Sequence, residues 1–279
     1  MKPLSLDEIL IKVGRLPALP EVVMELMRSF DEERLSIEML ARKLSRDLAL
    51  VMRIMRVANS PFYGLQGRIG TVQEAIVTLG LTNIRALVVA AAIIGQFPRS
   101  ARYGLDWRVF WRHAIGVASG AKVLCAHTGQ NEDTAFICGL LHDIGRLVLA
   151  HSYPQHYAEV ITCRAREDLH PFDAERLVLG LDHAAVGAAL AARWNFPQPI
   201  VQAVGGHHLM EAAEGSPLAC LTHVADVISH ALDLGGDSDG MAPVLSESAW
   251  AVVRIEWKEL KKLFAQIEAL HESTTLLIG

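Results

Sequence analysis

Apolar residues recur at three- and four-residue steps along most of this chain, and period-two alternation is hard to find, so the pattern predicts helices almost throughout. After a break at Leu16-Pro-Ala-Leu-Pro20, a short amphipathic helix is expected over Glu21 to Phe30. Ser36 is placed to cap Ile37–Leu44, and Leu50, Ile54 and Val57 stripe a helix from about Asp47 to Ala58. Thr71 opens Val72–Leu79, and Asn83 is expected to cap the apolar helix Ile84–Ile94. Further on, a helix from Trp107 to about His127 carries Gly116 and Gly120, which let another helix come close. Asp173 is read as the cap of one long helix to Trp194, and Ile200–Val204 as a short turn stopped by Gly205-Gly206. Ser216 and Pro217 start a helix to Leu232, and Leu260, Phe264 and Ile267 stripe the last one, Trp257 to about His271. The expected fold class is all-α: a helical bundle over 1–100, a second helical half over 101–232, and C-terminal helices over 233–279 packing on the core.

One stretch departs from simple amphipathicity. Gly139-Leu-Leu-His-Asp-Ile-Gly-Arg-Leu-Val-Leu-Ala150 reads as a buried helical run with His142 and Asp143 set into it. Burying either group without a partner costs roughly 2–7 kcal/mol, so something must pair them. On one continuous helix the two side chains would point about 100° apart and flank a ligand lying against the helix.

Composition narrows the setting. Apolar residues make up 51% and charged ones 20% of 279, the balance of a globular chain. The longest uncharged apolar run, Ala86 to Gly95, is too short to span a bilayer, and acids near the N-terminus argue against a signal peptide. Cys125, Cys138, Cys163 and Cys220 form no CxxC pair and read as buried hydrophobes in a reducing cytoplasm. Net charge is −5, but Arg34 to Arg85 holds eight basic groups against three acids, which leaves −10 on the remainder. That basic face suits solvent or an acidic partner, and Ile37 to Arg56 has the outline of a helix-turn-helix. DNA is therefore carried as a third-ranked partner, whose binding would weaken steeply with salt.

Set in order, the polar intrusions on apolar helices are His113, His142, Asp143, His183, His207, His208 and Asp226. Imidazole and carboxylate are the usual ligands of Fe, Mn, Zn or Ni, so these seven are the candidate metal ligands. His223, three residues before Asp226, is a candidate supporting residue. His127, His151, His156, His170, His230 and His271, near helix ends or loops, are expected to be solvated.

The order of these residues resembles the HD superfamily of metal-dependent phosphohydrolases: His113, then His142-Asp143, then Asp226. His183, His207 and His208 resemble the extra ligands of its binuclear branch that hydrolyses cyclic di-GMP. Leu16-Pro-Ala-Leu-Pro20, Arg46-Asp-Leu-Ala-Leu50, Val57-Ala-Asn-Ser-Pro-Phe-Tyr-Gly64, Gly139 to Arg146 and Asp182-His-Ala-Ala-Val-Gly187 are similar to the HDOD family of bacterial signalling modules, over about Leu6 to Leu232. The resemblance implies a helical N-terminal bundle on an HD-like half, a regulatory role with no agreed catalysis, and a divalent metal site that can be binuclear. It implies a signalling protein as partner, with a nucleotide or phosphate ligand left open. The striped last helix is expected to pack on the core, with a homodimer or inter-domain contact as the alternative.

The chain departs from that resemblance in two places. His207-His-Leu-Met-Glu-Ala212 lacks the Gly-Tyr-Pro of the cyclic di-GMP hydrolases, and Arg146 stands where they have lysine. A guanidinium, with a pKa above ~12, cannot act as a general acid, but it can bind phosphate. The leading expectation is a metal-binding signal-transduction output module with Arg146 as ligand-binding residue. The alternative is a working metal-dependent phosphohydrolase, with Asp143 and Arg146 as its catalytic residues.

Overall fold

Side-chain caps set about half of the helix starts. In the computed structural model, which describes residues 4–14, 18–28, 36–64, 67–97, 104–208, 216–236 and 241–279, the elements are helical and there are no strands among the described residues. Ser5 and Glu8 form a reciprocal capping box at α1 (Leu6–Val13). α2 (Glu21–Arg28) and α3 (Ile37–Leu44) follow, and Asp47 caps α4 (Leu48–Ala58) through the amides of Ala49 and Leu50. Thr71 and Glu74 make a second capping box at α5 (Val72–Leu79), which runs into α6 (Leu81–Gln96). Each such cap stabilises its helix by about 1 kcal/mol.

The second half is built on α7 (Trp107–Leu124), capped by Asp106 and buried along nearly its whole length. α8 (Glu132–Leu141), α9 (Ile144–Ser152), α10 (Pro154–Glu167), α11 (Pro171–Leu179), α12 (His183–Arg193), α13 (Gln198–Gly206) and α14 (Pro217–Ala231) come next, and α15 (Glu247–Val253) and α16 (Leu260–Thr274) complete the chain. α7 packs against α8, α14 and α16, while α12 packs against α9 and α13. The two halves are tied together at several points. α6 packs on α8, α1 on α12, and the turn Thr275–Leu277 on α4. The Leu4 amide also donates to the Leu179 carbonyl (2.8 Å), and the Tyr153 hydroxyl to the Glu8 carbonyl (2.9 Å).

Two close helix approaches position the site. A Cβ on Gly116 would lie 2.5 Å from Ser229 Oγ, so glycine there lets α7 and α14 meet; a Cβ on Gly145 would lie 2.0 Å from the His183 carbonyl, so α9 meets α12 backbone to backbone. No helix among the described residues is long and apolar enough to cross a membrane. The four cysteines are buried and form no disulfide.

Several expected boundaries shift, each for a local reason. The run 139–150 is two helices, not one. His142 Nδ1 donates to the Gly139 carbonyl at 2.7 Å, the acceptor that Asp143 would use to continue the ladder, and Asp143 leaves helical geometry at ψ 4°. Asp173 does not cap a long helix to Trp194. Gly180, at φ 81°, ends α11, and Asp182 caps α12 by accepting from the Ala185 amide at 2.9 Å. Asn83 sits inside α6 and donates to the Leu79 carbonyl (2.7 Å), while Gly80 occupies the cap. Gly205 and Gly206 lie within α13, which ends after them. The expected helix over Glu21 to Phe30 is described only to Arg28. Residues 16 and 17 of the Leu16–Pro20 break, Arg34, and the departure at 209–212 lie outside the described residues.

Candidate metal centre

Helix ends, where the ladder runs out, deliver most of the polar side chains. His142 follows the last residue of α8, Asp143 precedes the first of α9, His183 opens α12, and His207 follows α13. Only His113 and Asp226 come from helix interiors, on α7 and α14. All seven predicted ligands converge on one place. Asp143 Oδ1 lies 3.0 Å from His183 Nε2, 3.7 Å from His142 Nε2 and 3.9 Å from His207 Nε2. His183 Nε2 is 3.0 Å from His208 Nε2, and His113 Nε2 is 3.3 Å from His142 Nε2 and 3.2 Å from Asp226 Oδ1.

The tautomers show what faces inward. His142 Nδ1 donates to the Gly139 carbonyl and His207 Nδ1 to the Val204 carbonyl, both at 2.7 Å. His183 Nδ1 donates to Glu175 Oε2 at 2.7 Å. In a neutral ring this leaves each Nε2 as a bare lone pair, so three acceptors point at a carboxylate oxygen, itself an acceptor. His207 Nε2 is buried with no hydrogen-bond partner. Asp226 Oδ1 has none either, since its approach to His113 is out of hydrogen-bond alignment. Converging unpaired acceptors in a buried site fit a cation. The ligand atoms of Asp143, His183, His207 and His208 lie within 4.8 Å of one another, as do those of His113, His142 and Asp143. Asp143 belongs to both groups, the position of a ligand shared by two ions about 3.5–4 Å apart.

Without a cation, protons balance the site. Burial lowers the His183 pKa, but the Glu175 and Asp143 carboxylates outweigh it and push it up to about 10. Burial, with His142 and His183 alongside, presses His207 down to about 3 and keeps it neutral. Burial alone would raise the Asp143 carboxyl; the His142 and His183 rings and Arg146 hold it well below the usual carboxylate range.

Arg146 stands beside this cluster. Its Nη1 donates to Asp143 Oδ2 at 2.8 Å and its Nε to the Tyr157 hydroxyl at 3.2 Å. Asp143 and Tyr157 take up one Nη1 hydrogen and the Nε hydrogen, which leaves both Nη2 hydrogens and one on Nη1 for a ligand. His223 donates from Nδ1 to the His207 carbonyl (3.1 Å), which places it behind a candidate ligand.

Some residues expected to be solvated belong here instead. His230 lies 3.5 Å from Asp226 Oδ1 and 4.6 Å ring to ring from His113, and with them forms a third group of ligand atoms within 4.8 Å. It is four residues after Asp226, one helical turn on the same face, and that spacing was the available signal. His271 is also buried, bonded to the Arg112 carbonyl at 3.1 Å. Glu175, fully buried behind His183, gave no sequence signal, because the turn that folds α11 back on α12 hangs on Gly180.

A family model for the HDOD domain matches residues 16–210. The chain belongs to the HDOD family. A solved HDOD domain protein of unknown function from Geobacter sulfurreducens shares this fold with a TM-score of 0.79 and 25% identity, over 95% of this chain and 99% of that one. A candidate phosphohydrolase from Shewanella amazonensis is similar at a TM-score of 0.77 and 27% identity, over 97% and 98%. Among curated sequences, an uncharacterized Treponema pallidum protein is 28% identical over 228 residues, 80% of this chain but 44% of its own length. The HDOD chain thus spans less than half the length of the curated relatives it matches.

Proposed function

We propose that this HDOD chain is a cytoplasmic signal-transduction output module whose buried His/Asp centre holds one or two divalent ions of the Fe, Mn, Zn or Ni class and binds a phosphorylated ligand. The observation that carries this is the convergence of three imidazole Nε2 atoms on Asp143 Oδ1, with His207 Nε2 buried and without a hydrogen-bond partner. When bound, the metal would supply Lewis acidity and anchor an anionic oxygen. The protein's own groups do the rest. Glu175, Gly139 and Val204 fix the rings of His183, His142 and His207, and Arg146 orients Asp143.

Binding is favoured over turnover because the group beside Asp143 is a guanidinium tied to a carboxylate and a phenol, which cannot release a proton. A helical surface then reports the ligand to a protein partner. α8 packs on α6 and α12 on α1, so the N-terminal helices lie directly behind the elements that carry His142 and His183.

The second reading, a working phosphohydrolase, is favoured by the complete cage and by the likeness to the Shewanella amazonensis protein. Incubating the metal-loaded chain with nucleotides, cyclic dinucleotides and a generic phosphodiester separates the two. The expected result is no turnover. Hydrolysis that is lost in Asp143→Ala contradicts the binding reading and installs the enzymatic one.

A further inference from the structure

Two hollows open off the metal-ligand cluster, and the same four residues, His113, Arg146, Arg164 and His230, line both. The one over the cluster has only about 40 Å³ of space. The other, about 300 Å³, runs from those four residues between the first turn of α7 and the middle of α10. Its walls differ in kind. The two guanidiniums and the edge of the metal site lie at the shared end, Val109, Phe110 and Ile161 supply apolar surface, and Asp106 and Asp233 add two carboxylates to the lining.

We propose that this larger cavity is the subsite for a phosphomonoester of a single ring system, of the size of a nucleoside monophosphate. The phosphate sits at the shared end between Arg146 Nη2 and Arg164, and the ring lies along Phe110 and Ile161. The proposal rests on the metal reading above, because the ions would neutralise the phosphate's inner oxygens.

Charge, shape and volume each contribute. Two guanidiniums beside a metal centre select an anion with several oxygens, and planar N–H forks suit phosphate. Arg146 contributes one edge only, so the second cation, Arg164, is needed to complete the grip. A volume of about 300 Å³ stands at the lower end of small-ligand pockets, enough for one nucleotide unit and short of two. A cyclic dinucleotide is therefore too large to be enclosed there whole. Arg164 becomes a specificity residue that sequence order gave no reason to choose.

The test uses the full chain loaded with Mn²⁺, its metal counted first, and calorimetric titration with inorganic phosphate, adenosine monophosphate and cyclic di-AMP. The monophosphate should bind about tenfold or more tighter than phosphate, from burial of its ring, and at least about tenfold tighter than the cyclic dinucleotide. Arg164→Ala should weaken phosphate and monophosphate alike by about tenfold or more, and Arg164→Lys by less. Val109→Trp, which fills the cavity, should erase the advantage of the monophosphate over phosphate. Circular dichroism reports whether each variant is folded, and the wild-type ligand series decides the matter without them. Equal affinity for phosphate and monophosphate, equal affinity for monophosphate and cyclic dinucleotide, or indifference to Arg164→Ala overturns the proposal. A chain that holds metal but binds none of the three ligands overturns it and leaves the metal reading intact. A chain that holds no metal overturns both.

Discussion

Three imidazoles turn the same nitrogen inward for three separate reasons: His142 is held by the carbonyl of Gly139, His207 by that of Val204, and His183 by the carboxylate of Glu175. The carboxylate is the strongest of these holds, and it also receives the His183 amide at 2.6 Å. Glu175→Gln keeps the shape and removes the charge. It should weaken metal affinity about 10–100-fold, as loss of such supporting groups typically does, measured by competition with a chelator. An unchanged affinity would make Glu175 a packing residue. The buried His271 gives a second residue-scale prediction, this time on stability. Burial lowers its pKa from 6.5 to about 4. The unfolded chain takes up this proton near 6.5 and the folded chain resists it to about 4, so acid favours unfolding across that window and stability falls as pH falls. In His271→Gln, which keeps a donor for the Arg112 carbonyl, the stability curve over that window should be flatter than in the wild type. At this scale the seven candidate ligands were legible, because each is a polar intrusion on an apolar helix. His230 was legible only through its four-residue spacing from Asp226, and His271 was not, because a helix-end position looks solvated until the neighbouring helix is known.

Helices bring distant residues together here through backbone approaches that tolerate no side chain. At Gly145 an added Cβ would meet the His183 carbonyl at 2.0 Å and the Gly187 amide at 2.8 Å, neither of which can swing aside. Gly145→Ala should therefore destabilise the chain by about 1–3 kcal/mol, and it should also weaken metal binding by parting Asp143 from His183. Gly70→Ala is the control: its Cβ would meet only Glu74 Oε2, at 3.7 Å, so stability should stay within about 0.5 kcal/mol. Urea unfolding of both variants measures the difference. Short helices were readable from sequence: α3 and α5 begin directly after Ser36 and Thr71, although only Thr71 caps through its side chain. The break at His142-Asp143 was not, since apolar residues continue through it and the interruption comes from a side chain competing for a backbone carbonyl. Gly180 likewise ends α11 where the apolar pattern alone runs on toward Trp194.

Over the whole molecule, an all-helical HDOD scaffold encloses a site that is short of fixed positive charge and makes up the difference with imidazole protons such as that of His183. Asp143, Asp226 and Glu175 are all buried around it, and Arg146 is the cation paired with Asp143. Filling that deficit links metal binding to folding. At a metal concentration of about 100 times the dissociation constant, stability should rise by about 2.7 kcal/mol, a shift in melting temperature of roughly 5 °C for a chain of this size. Addition of a chelator should reverse the shift. The family likeness made the architecture legible from a few motifs, whereas the cavity beside α10 depends on how α7, α9, α10 and α14 come together and has no signature in residue order. The most direct test of the account is the metal content of the purified chain after reconstitution, counted for the wild type and for Asp143→Ala. Asp143 belongs to two of the three ligand groups, so the wild type should hold between one and two ions per chain and the variant should lose most of them. A wild type that retains no metal, or a variant that retains as much as the wild type, contradicts the account.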